Sequence, residues 1–190
     1  MGYRKQRPGK LEIAKAEEIE RLRREGVEQI GRLSEREFLV AGTALYAGEG
    51  AKTDGEIAFA NSDPRMILFF VKWLRHFVDV DESRLRVRLY LHQGLDLGAA
   101  CAFWRDLTDI PLSQFGKVYR AVPDPSIRKA KHVNGCPSIR YSCSRSHRFV
   151  MGLVTALLSC DFSLSGVAQP AERLTVNQDV VGSSPTPGAC

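Results

Sequence analysis

Residues 38 to 50 read FLVAGTALYAGEG. The stretch carries no charge until Glu49 closes it between Gly48 and Gly50. Ser34-Glu35-Arg36-Glu37 stands just before it in capping-box form: a Ser hydroxyl for an orphan amide three residues on, and a Glu reaching back. A helix is therefore expected from Ser34 to about Gly48, with Gly50 or Gly48 as a left-handed stop. Ala41, Ala44 and Gly48 recur at spacings of three and four, with Gly42 and Ala47 beside them. Small residues on one face let two helices approach closely, because Cβ substituents set the distance. A carboxylate fixed at such a helix end can hold a hard cation such as Mg2+ through oxygen. Two copies of the helix packed together would bring two acids to one place, and two acids with shared metals are the parts needed for in-line phosphodiester hydrolysis.

Reading outward, EIAFANS (56–62) is a short strand with Ile57 and Phe59 inward. Ser62 or Asp63 caps a helix with Pro64 at its first position. PRMILFFVKWLRHFV (64–78) is apolar around much of its circumference, with Met66, Ile67, Phe70, Leu74 and Phe77 on one side, so it is a core helix. LRVRLYLH (85–92) alternates strictly: Leu85, Val87, Leu89 and Leu91 face one way, Arg86, Arg88, Tyr90 and His92 the other. Arg84 begins that polar row. A helix over 95–108 is expected to bury Leu97, Cys101, Trp104 and Leu107, and Pro111 ends it. FGKVYRAV (115–122) and SIRYSCS (138–144) read as a strand pair around a basic loop, and 145–158 as a last amphipathic helix. A further strand fits near 51–54. Before all this, 11–33 has a thin stripe (Ile19, Leu22, Gly26, Ile30, Leu33) and reads as a charged arm. The order predicts an α+β fold with helices on one face of a mostly antiparallel sheet.

The 190 residues are 44% apolar, which fits a globular domain. Lysine and arginine number 27 against 22 acids, net +5, with the excess concentrated late in the chain. From Pro111 to Val150 eight Lys or Arg face a single acid, Asp124. Nucleic acid is the first partner such a segment implies. The basic start lacks the apolar core of a signal peptide, and no run is long enough to span a membrane. Five scattered cysteines then read as free cytosolic thiols, and the location as cytoplasmic. His132, Cys136, Cys143 and His147 are zinc-ligand types, but a strand between the cysteines separates them by about 23 Å, against sulfurs about 4 Å apart in a tetrahedral site.

FLVAGTALYAGEG resembles the signature helix of LAGLIDADG homing endonucleases, with Gly42 to Gly50 filling nine motif positions and Glu49 on the metal-binding catalytic acid. Gly42-Thr43 replaces the usual Leu-Ala. FANSDPRMILFFVKWL is similar to the family's second strand and helix. The resemblance implies an αββαββα domain over 34–159 with a saddle-shaped sheet on double-stranded DNA. It implies Mg2+ at Glu49 and a homodimer joined at Ala41, Ala44 and Gly48, since only one motif is present. The DNA contacts it implies are Lys52, Arg84, Arg86, Arg88, Tyr90, His92, Lys117, Arg120, Arg140 and Arg145. Regulators of the WhiA type share that fold and bind DNA without cutting, so a non-catalytic regulator is the alternative. A looser likeness links Leu45 to Lys52 with small uncharacterised actinobacterial proteins. A protein-interaction module is a third reading. Residues 1–33 form the leader, and 160–190 are expected to be disordered: 166–189 resemble an in-frame translation of a tRNA gene.

Overall fold

The computed structural model describes residues 9–121 and 132–159. The tail and most of the basic loop, with the expectations placed on them, lie outside the described residues. Among the described residues, five α-helices and a four-stranded mixed sheet make an α+β fold. Helix α1 (Lys10–Ile30) buries no residue, as its thin stripe predicts. No helix among the described residues is long and apolar enough to cross a membrane.

Helix α2 (Glu35–Glu49) begins where the capping box requires. The Glu37 amide donates to Ser34 Oγ at 3.3 Å, and the Ser34 amide donates to Glu37 Oε2 at 2.6 Å. Its end differs from expectation. Gly50 is extended (φ −75°), not left-handed. Lys52 closes the helix instead, its Nζ donating to the Tyr46 carbonyl at 3.0 Å and to the Gly50 carbonyl. Gly50 is needed for room: a Cβ there would lie 2.3 Å from the Tyr46 ring.

Strand β1 (Glu56–Ala60) leads to α3 (Pro64–Phe77), capped by Asp63, which accepts from the Arg65 amide at 2.9 Å. Ile67, Phe70, Val71, Trp73 and Leu74 of α3 are buried, and Phe70 stacks on Phe59 with centroids 4.5 Å apart. After β2 (Leu85–His92) comes α4 (Leu97–Thr108). Ala100, Trp104 and Thr108 are buried and Cys101 and Leu107 pack half-buried against the core, so of the four expected residues Leu97 alone, 40% exposed, is corrected. β3 (Tyr119–Ala121), β4 (Cys136–Ser142) and α5 (Ser144–Leu158) complete the described chain.

The sheet order is β1-β4-β2-β3. β4 runs antiparallel to both β1 and β2, whereas β3 runs parallel to β2. The expected pairing of 115–122 with 138–144 is therefore corrected: β4 is an interior strand and β3 is an edge. The reason lies in β4 itself. Ile139 and Tyr141 are buried, and an interior position also pairs its backbone groups on both sides. Near 51–54 there is no strand; Gly50 makes one antiparallel bridge to Phe59, on the free edge of β1. With α4 between β2 and β3, the order from α2 onward is αβαβαββα, not αββαββα. Among the helices, α2 touches α5 and α3, and α3 touches α4. Leu85, Val87, Leu89 and Leu91 point into the core, and Arg86, Arg88 and Tyr90 to the open face, as the alternation predicts.

Candidate nucleic-acid interface

The period of two along each strand decides what the open face carries. Glu56 pairs with Ser142, Arg86 with Arg140, Arg88 with Ser138, and Tyr90 with both Cys136 and Tyr119. Arg86, Arg88, Arg140, Lys117 and Tyr119 come together around a shallow cavity of about 370 Å³, which Glu56 and Ser142 close at one side. Four cations therefore share this surface with one carboxylate.

The cations are not equivalent. Arg140 is engaged: its Nε donates to Glu56 Oε1 at 2.9 Å and its Nη2 donates to Glu56 Oε2, a bidentate pair with both side chains 26% exposed. Ser142 Oγ reaches the same carboxylate at 3.2 Å. Arg86 turns back to the Ser83 and Leu85 carbonyls at 2.6 and 2.7 Å, which positions its charge without neutralising it. Arg88 and Lys117 make no hydrogen bond or ion pair with a described residue. Tyr90 and Tyr119 are 47% and 56% exposed. The His92 ring stands edge-on to Tyr90 at 5.7 Å, with a buried Nδ1 that has no hydrogen-bond partner among the described residues.

Other predicted contacts lie elsewhere. Arg120 pairs in register with Leu91, on the opposite side of the strand from Tyr119, and donates to the Leu95 carbonyl at 3.3 and 3.4 Å. Arg84 folds over the Tyr141 ring at 5.6 Å and donates to the Ser142 carbonyl. Lys52 is held as the cap of α2. Arg145, in the first turn of α5, lines a separate cleft with Phe77, Tyr141, Cys143 and Phe149. Cys136 and Cys143 bracket β4, one at its first residue and one just past its last, as the spacing predicts. Sequence reasoning missed two residues on the open face, Glu56 and Tyr119. Both fall on the outward parity of their strands, so alternation was the available signal.

Glu49 is the last residue of α2, exposed, with no hydrogen bond or ion pair to a described residue. It sits toward the β1 edge, since the next residue bridges to β1, while the cations gather toward β2 and β3. On α2, Ala44 and Gly48 are exposed, Ala41 is half-buried and Val40 is 40% exposed. Gly42 instead serves the chain's own core: a Cβ there would lie 2.0 Å from Trp73 Cδ1. One chain supplies a single carboxylate at Glu49, and no three His, Cys, Asp or Glu among the described residues are grouped to hold a metal ion. Within one chain, then, no such group surrounds Glu49 among the described residues. Compared with protein families, with curated proteins and with solved structures, the chain matches none.

Proposed function

We propose that the protein binds DNA through the open face of its sheet, in the manner of a LAGLIDADG-like domain acting in the cytoplasm. One observation carries this reading. Arg86, Arg88, Lys117 and Arg140 stand on one face with a single carboxylate, beside two exposed tyrosines. Guanidinium and ammonium groups supply phosphate contacts, and the exposure of Arg86 and Arg88 leaves them in reach of a backbone. Binding measured by fluorescence anisotropy tests the reading. Affinity should fall steeply with salt, and Arg88→Gln should weaken binding and flatten that dependence. No binding at low salt would sink it.

Cleavage is a second step of the same proposal. It requires a homodimer, with the exposed Val40, Ala44 and Gly48 side of α2 against its copy and two Glu49 carboxylates sharing Mg2+. Glu49 favours this reading by its position. An acid at a helix C-terminus opposes the macrodipole, and among the described residues it makes no bond that would compensate. Mg2+-dependent cutting of a genomic library, lost in Glu49→Gln, supports the nuclease. Binding without cutting supports a non-catalytic regulator.

A further inference from the structure

The open face carries two aromatic rings that phosphate binding does not require. Tyr90 and Tyr119 are cross-strand partners in register, on adjacent strands about 4.8 Å apart. Both are about half exposed, and neither hydroxyl makes a hydrogen bond with a described residue. They do not contact each other ring to ring among the described residues, so each has a ring surface left for another partner. A half-buried tyrosine on a sheet usually packs against its neighbour or bonds its hydroxyl. Here Tyr119 meets no ring and Tyr90 meets the His92 ring alone among the described residues, and both stand about half exposed among cations.

Resting on the DNA-binding reading, we propose that Tyr90 and Tyr119 form a stacking platform for unpaired bases, and that this face takes single-stranded nucleic acid in preference to an intact duplex. Within a duplex, bases stack on one another and expose only their edges in the grooves. Exposed ring faces gain little from those edges, whereas splayed bases present their π-faces to them. The cations are placed to match. Arg88 lies two residues before Tyr90 along β2, and Lys117 two residues before Tyr119. Arg88 is thus about 6.6 Å from Tyr90 along β2, a distance that lets a base lie on the ring while its phosphate meets the charge, and Lys117, just before β3, lines the same cavity as Tyr119. His92, edge-on to Tyr90, steadies that ring. The surface reads no base edge, so sequence preference should be weak and follow stacking strength.

The test uses the full chain and three labelled probes of equal length: a single-stranded DNA, a single-stranded RNA of the same sequence, and the blunt DNA duplex. Anisotropy titrations at fixed salt should give tighter binding to one or both single strands than to the duplex by about ten-fold. The two single-stranded arms decide whether DNA or RNA is the source. Tyr90→Leu and Tyr119→Leu should each weaken single-strand binding by about five-fold to a hundred-fold, with little change in the salt dependence. Tyr90→Phe and Tyr119→Phe, which keep the ring, should retain it. Both positions are half exposed, and thermal melts of the Leu variants verify that they fold. Two results would overturn the platform: equal or tighter binding to the duplex, or Leu variants that bind single strands unchanged. In either case duplex binding weakened by Arg88→Gln would leave the DNA-binding reading standing. Binding to none of the three probes would remove that reading and this one together.

Discussion

The Glu56–Arg140 pair makes a prediction that a general basic patch does not: removing an acid should strengthen nucleic-acid binding. In the free protein, Arg140 is held by a bidentate carboxylate, so of the four cations around the cavity Arg86, Arg88 and Lys117 are available to phosphates. For a single strand each neutralised phosphate contributes about −0.7 to the slope of log K against log salt. Three contacts give a slope of about −2.1, so raising salt from 50 to 200 mM weakens binding about eighteen-fold. Glu56→Gln frees Arg140 and makes four contacts. The slope becomes about −2.8 and the same change of salt costs about fifty-fold. If the added contact vanishes at 1 M salt, the variant gains about eight-fold at 50 mM and about three-fold at 200 mM. Arg88→Gln should move the other way, to a slope of about −1.4 and a seven-fold loss. Asp106→Asn is the control. It removes the same charge, but from an Arg105 pair on α4, a helix of the opposite layer. Anisotropy titrations across a salt series read all four. A Glu56→Gln protein that binds no more tightly, with an unchanged slope, would refute the idea that Glu56 silences Arg140 on a phosphate track. An equal gain from Asp106→Asn would refute it as well, because net charge alone would then explain the effect.

Three further outcomes follow from the geometry. Gly42→Ala should destabilise the fold, because the new Cβ meets Trp73; overpacking of this kind costs about 1–3 kcal/mol, offset in part by the roughly 1 kcal/mol that Ala gains over Gly in a helix. Gly48→Ala, with nothing within 4 Å, should hold or raise the urea midpoint, and a rise in both variants would contradict the Trp73 contact. The Arg65 guanidinium and then its amide, both donating to Asp63, lower its carboxyl from 3.8 to about 2. The folded-state value lies below the unfolded one, so the stability it contributes is present above about pH 4 and is lost as pH falls through about 2. Asp63→Asn should therefore lower the melting temperature at pH 6 by more than at pH 2, and an equal loss at both would contradict the shift. Cys143 is held below the usual thiol range by hydrogen bonds from the Ser146 side chain and then its amide, while burial raises Cys101 and Cys136. Among these three, iodoacetamide at neutral pH should label Cys143 first, as peptide mapping would show.

The parts of the fold that were legible in the sequence are those governed by local periodicity. Leu85 to His92 alternates because one face is buried and the other wet, and Ser34 with Glu37 marks a helix start through bonds three residues apart. Pairing was not legible. Nothing local in SIRYSCS says that its neighbours are β1 and β2, since the partners lie tens of residues away. The same limit applied to the site. Lys117 and Arg120 were both expected on DNA, yet Arg120 is the neighbour of the outward Tyr119 in β3, and adjacent residues face opposite ways along a regular strand. Arg120 accordingly lies on the other side and bonds a carbonyl near the start of α4. Glu56 was missed because its importance is relational: it matters only once β1 is known to lie beside β4 with Arg140 in reach.

The opening stretch now divides into two faces with different duties. Thr43 and Tyr46 are buried, Trp73 donates to the Leu39 carbonyl at 3.1 Å, and Gly42 gives Trp73 its room. That side is explained by the chain's own core. Ala44, Gly48 and Glu49 face water, and the fold needs none of them there. Lys52 has already taken the role that a cation plays at a helix C-terminus, so Glu49 neither caps the helix nor pairs with the group that does. Folding alone would be served as well by a neutral residue at 49. Glu49→Gln is therefore a test of the proposed function with little expected effect on folding.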